Sequence, residues 1–154
     1  MTTTGRVAPD VFQEPRAAMP PNLYLDMAES YCEAARRMLP ADPLTRAPFY
    51  MVTAHAIELA LKAVLLAQGD DMEAIIAFGH SLAGCRARAV RQGFTGAASP
   101  GIAEPIDLVS PGHQAQAFRY PQFLNWETPP AEDLLGAATR LTLSARNYLS
   151  ERAA

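Results

Sequence analysis

The sequence predicts an all-α fold, a bundle of four to five helices with a long loop before the last one. Three observations predict it. Apolar residues recur at spacings of three and four in several long segments, which is one face of a helix. Glycine and proline fall mostly between those segments, where they end helices rather than interrupt them. The composition, 49% hydrophobic and 19% charged over 154 residues, is enough for one core and fits one domain. No internal repeat and no second domain is read, so residues 22–154 are taken as a single helical domain.

Residues 1–21 are polar and carry Pro15, Pro20 and Pro21. They read as an extended or poorly ordered arm. The first helix is expected from Leu23 to Leu39, with Asn22 as N-cap. Leu25, Ala28, Cys32, Ala35 and Leu39 form its apolar face, and Pro40 and Pro43 stop it. The second helix, over PFYMVTAHAIELALKAVLLAQG, is apolar around nearly its whole circumference, the pattern of a central helix. Pro48 suits its first turn and Gly69 its C-terminal end. A short helix follows over 71–78, then a break at Gly79, then a helix over 81–92 started by His80 or Ser81. Residues 94–113, rich in Gly, Pro, Ser and Ala, read as a long loop with a short extended piece at 105–109. The segment FRYPQFLNW, 118–126, is aromatic-rich, with Trp126 as a core or interface anchor. The last helix is expected from the N-cap Thr128 to about Glu151, with Leu134, Leu135, Ala138, Leu141, Ala145, Tyr148 and Leu149 buried.

The net charge of -3 does not call for a strongly basic groove, although a local arginine cluster works on an acidic protein. Cys32 and Cys85 form no CxxC unit and are expected to be buried apolar residues rather than a disulfide. With three histidines and no metal-ligand spacing along the chain, no metal site and no cofactor is expected. The first residues lack the apolar stretch of a secretory signal and no run of 18 apolar residues occurs. A cytoplasmic protein with no membrane contact is therefore expected.

Two motifs bear on chemistry. GHSLA, residues 79–83, is like the nucleophile elbow of α/β-hydrolases. The elbow needs a preceding buried strand and a parallel sheet, whereas Asp70, Asp71 and Glu73 precede a helix here. His80 and Ser81 are accordingly read as a helix cap. The stronger candidate is the one polar stripe on the second helix, His55, Glu58 and Lys62, which fall within about 60° of one another on the helix. Glu58 and Lys62 form an i,i+4 pair in the favourable order. A charged stripe on a buried helix faces a groove or a partner, because unpaired burial is costly. Arg119 is expected to pair with Glu58 or to hold an anion, with Tyr120 beside it. Arg140 and Arg146 lie on a solvated face of the last helix.

The strings AHAIELALKAVLLAQG at 54–69, GHSLAGCRARAVRQG at 79–93 and FRYP at 118–121 resemble the HEPN superfamily, the higher eukaryotes and prokaryotes nucleotide-binding domains. The likeness spans roughly residues 22–151 and includes small bacterial members. It implies a helical bundle, commonly a two-fold homodimer. It also implies either a metal-independent ribonuclease or an inert partner of another subunit, in some cases within toxin–antitoxin or phage-defence systems. Glu58, Lys62, His80, Arg119 and Tyr120 match family-like positions, and Arg146 is a possible cleft residue. The ribonuclease members carry an arginine followed, four to six residues on, by a histidine. No arginine here has a histidine at that spacing, so the catalytic pair does not carry over. The expectation is a non-catalytic dimer that binds a partner protein, a nucleotide or RNA. The alternatives are a ribonuclease with a non-standard set (His55, Glu58, Lys62, His80, Arg119) and a structural subunit of a larger complex.

Overall fold

The computed structural model describes residues 19–121 and 125–154. The expected N-terminal arm falls outside the described residues up to position 18, as do residues 122–124 of the aromatic segment. Among the described residues six α-helices follow one another: α1 (Pro21–Arg37), α2 (Arg46–Ala67), α3 (Met72–Ala77), α4 (Leu82–Arg91), α5 (Pro100–Gln114) and α6 (Ala131–Ala153). Short 3-10 turns occupy Thr95–Ala97 and Ala117–Arg119. The described residues contain no strand, so the expected all-α bundle is the observed fold.

The bundle is built around α2, which touches every other helix. Phe49, Ala56, Ile57, Ala60, Leu61, Val64 and Leu65 lie on several sides of it and are all fully buried. By length and composition α2 could cross a membrane, but 78% of that apolar stretch is buried inside the protein. Its hydrophobicity is spent on the core. α1 lays Leu25, Ala28, Cys32 and Ala35 on α2, and α6 adds Leu134, Ala138, Leu141 and Ala145. Arg146 on α6 clamps α1 by donating to Glu29 at 2.9 Å and Asp26 at 2.6 Å. The expected cleft residue is thus a helix-to-helix tie, and the two carboxylates hold its guanidinium more firmly protonated than usual.

Several boundaries differ from the sequence reading. Proline, not Asn22, opens α1: Pro21 is its first residue and Pro20 sits at the cap, since proline needs no amide partner in a first turn. The helix ends at Arg37, short of Leu39. α6 begins at Ala131, with Pro130 and not Thr128 at the cap position.

The largest difference is α5, which replaces most of the expected loop at 94–113 and the extended piece at 105–109. Ile102, Ile106 and Val109 make its buried face. Pro105 and Pro111 lie inside it. Proline at 105 brings no N–H for the carbonyl of Gly101, and Arg140 on α6 donates to that carbonyl at 3.0 Å. A tertiary contact thus replaces the helix bond that proline removes.

Candidate functional site

The polar stripe of α2 meets the start of α4 and the end of α5. Glu58 is only 4% exposed, so its carboxylate needs partners from the protein. Lys62 Nζ donates to Oε2 at 3.2 Å and to the Gly79 carbonyl at 2.8 Å. His80 Nδ1 lies 2.8 Å from Oε1, and His113 Nε2 lies 3.0 Å from the same oxygen. The two imidazoles face each other edge-on, with ring centres 5.6 Å apart.

The local sequence explains the placement. Gly79 takes φ +55°, a left-handed conformation open to glycine. It turns the chain so that its carbonyl reaches Lys62 and His80 reaches Glu58. Ser81 then caps α4 by accepting from the Gly84 N–H at 3.1 Å, the role expected for it in place of a nucleophile. Ser110 of α5 accepts the neighbouring Ala83 N–H at 3.0 Å. That bond pins α5 against the start of α4 and sets His113, three residues on, over Glu58. Gly112 leaves room beside it, since a β-carbon there would stand 3.1 Å from the Phe118 ring.

Burial alone would raise the pKa of Glu58. The hydrogen bonds from His113 and His80, with the charge of Lys62, outweigh it and hold the carboxyl at about 2. An ionised carboxylate only accepts hydrogen bonds. Glu58 therefore fixes the tautomers: His80 donates from Nδ1 and His113 from Nε2, which leaves His80 Nε2 and His113 Nδ1 as the other faces of the rings. The His80 side chain is 37% exposed while that of His113 is 7% exposed, so His80 is the half of the pair that solvent reaches.

Beside the pair is a recess of about 10 Å³ lined by Met51, His80, His113, Gln116, Phe118 and Arg119, about the space of one water. Gln116 takes the left-handed conformation, φ +57°, and turns the chain from α5 into the Ala117–Arg119 turn that brings Arg119 to the recess. A larger groove of about 460 Å³ between α5 and α6 is lined by Glu104, Glu132, Asp133 and Arg140. Its excess of carboxylates disfavours an anionic occupant.

The expected residues therefore divide. Glu58, Lys62 and His80 converge. Arg119 reaches the recess but is exposed, and the partners of Glu58 are Lys62 and the two histidines rather than Arg119. His55 stands apart from these hydrogen bonds, with its ring edge-on to Tyr31 at 4.9 Å. Its pKa is lowered chiefly by burial, against the pull of Glu58. Tyr120 points outward, 60% exposed, and Trp126 is 36% exposed rather than a core anchor. His113 was missed as a site residue. It lay in the stretch read as a loop, and its one sequence signal was the i,i+3 step from Ser110 on a helix hidden by prolines. No protein-family model matches this sequence, and comparison with curated proteins and with solved structures gives no match either.

Proposed function

We propose that this chain is a HEPN-like helical module of the cytoplasm, acting as a two-fold dimer, that binds the phosphate of an RNA or nucleotide at the His80 side of the Glu58 cluster. The observation that supports this reading is the shared Oε1 of Glu58. It orients two imidazoles beside a recess that the exposed residue Arg119 also lines. An oriented imidazole beside a guanidinium is a phosphate-binding pair. The recess is too small for a base or a sugar, so such a ligand would lie across the surface and present one phosphate oxygen.

Fluorescence anisotropy with a short labelled RNA, over a salt series, tests the reading. Saturable binding that weakens with salt and falls at least about tenfold in Arg119→Ala supports it, since one charge-assisted contact is worth about 1.5–3 kcal/mol. No binding to RNA or nucleotide by a folded protein overturns it and favours a partner protein as the ligand. Light scattering tests the dimer, which a clean monomer would exclude.

A second reading, ribonuclease, is favoured by the facing histidines, since one imidazole could take a proton while the other gives one. RNA cleavage abolished in His80→Ala, with helicity unchanged by circular dichroism, would establish it. Intact RNA after prolonged incubation with the wild type would exclude it.

A further inference from the structure

Glu58, His80 and His113 each bring one possible ligand atom to within 4.8 Å of the other two, and Glu58 Oε1 is the atom that both His80 Nδ1 and His113 Nε2 approach. The three atoms come from α2, from the turn before α4 and from α5. Two imidazole nitrogens and one carboxylate oxygen, borne on separate rigid elements, are the donor set of 2-His-1-carboxylate metal sites. Bonds of about 2.0–2.2 Å to one ion place ligand atoms roughly 3–3.5 Å apart. The two separations at Oε1, 2.8 and 3.0 Å, are already within a few tenths of an ångström of that. The remaining adjustment falls on His80, which is half exposed and follows a glycine turn.

We propose that Glu58, His80 and His113 form a site for one divalent transition metal, with at least one coordination position open to the recess. Lys62 has a defined part in it. By holding Oε2 and the Gly79 carbonyl, it keeps Oε1 turned to the ion and makes the carboxylate a one-oxygen ligand, the orienting role of groups just outside a metal site. The ion takes the place of two hydrogen bonds. Each neutral ring moves its proton to its other nitrogen, from Nδ1 to Nε2 in His80 and from Nε2 to Nδ1 in His113. Neutral imidazoles then bind the metal and no proton is lost. The recess of about 10 Å³ suits a metal-bound water, with Gln116 and Arg119 beside it. The site stands on the ligand geometry and does not require the RNA reading.

The test uses tag-free full-length protein, stripped with a chelator, loaded with zinc or cobalt(II) and desalted. The expected results are one metal per chain by mass spectrometry, visible d–d bands for cobalt, and a melting temperature that rises with zinc and falls back on adding chelator. His80→Ala, at the exposed ligand, should keep the helical spectrum and lose at least tenfold in affinity. If that variant does not fold, nitrogen-15 NMR of the wild type decides: both imidazoles should exchange tautomers on zinc binding. Less than a tenth of an equivalent of metal with no thermal shift overturns the proposal, as does metal binding unchanged by His80→Ala or imidazole signals unmoved by zinc. RNA binding measured on the stripped protein reports separately on the phosphate reading.

Discussion

At the scale of single residues, Glu58 organises the most. One carboxylate, itself buried, satisfies an ammonium and two imidazoles. Glu58→Gln keeps the shape but removes the charge and leaves Lys62 unpaired. It should cost about 3–5 kcal/mol, the range for breaking a buried ion pair from one side, read by urea unfolding at pH 7. A loss below 1 kcal/mol would mean that Lys62 and the histidines find water instead. Asp70 gives the pH counterpart toward the other end of α4, where Arg88 lies in the last turn. Arg88 donates to both of its oxygens, at 2.9 and 3.0 Å, and these bonds lower its pKa against a smaller opposing effect of burial. A carboxyl lowered on folding stabilises the fold fully above its unfolded pKa, and the benefit is lost as pH falls through the folded value. Asp70→Asn should therefore lower the melting temperature at pH 7, and the gap to wild type should narrow as the pH drops below about 4. A gap constant from pH 7 to 3 would refute that assignment.

At the scale of elements, α5 carries a prediction and also marks where sequence reasoning stopped. Arg140 bonds the Gly101 carbonyl, which lacks a helix donor because residue 105 is proline. In a Pro105→Ala background the new amide competes for that carbonyl. Arg140→Ala should then cost less than in wild type, with a coupling of about 0.5–1.5 kcal/mol in a double-mutant cycle. Additive effects would show that the arginine bond does not compensate for the proline. α2 was legible because its signal is long and unbroken: apolar residues on every side, with Glu58 and Lys62 as the exception. The capping role of Ser81 was legible because it is local. α5 was not, since Gly101, Pro105, Pro111 and Gly112 read as loop punctuation. The step from Ile102 to Ile106 to Val109 is too short to outweigh them. What compensates for Pro105 in that helix is an arginine 35 residues further along, and local patterns do not contain it. His113 was lost with the helix, and with it the pairing that separates a surface stripe from a closed cluster.

At the scale of the whole molecule, α2 is both core and scaffold. Leu61 is fully buried there among the other helices, and Leu61→Ala should cost about 2–5 kcal/mol. The loss should appear as one cooperative unfolding transition by circular dichroism, because each other helix packs on α2. Two separated transitions would mean that α5 and α6 form a unit of their own. The same placement resolves the ambiguity of an apolar 22-residue segment, which hydropathy alone does not distinguish from a membrane span.

The clamp between α1 and α6 has a mechanical consequence. Thr139 contacts Cys32 and Arg36, whereas Arg146, two turns later, holds Glu29 and Asp26. The two helices thus run in opposite directions, and Pro21 and Ala153 lie toward the same end of the bundle. The start of α1 and the end of α6 are therefore two points of tether set side by side. A pull on those two tethers would peel the helices apart turn by turn, as a zipper opens, with the Arg146 clamp among the first ties to bear load.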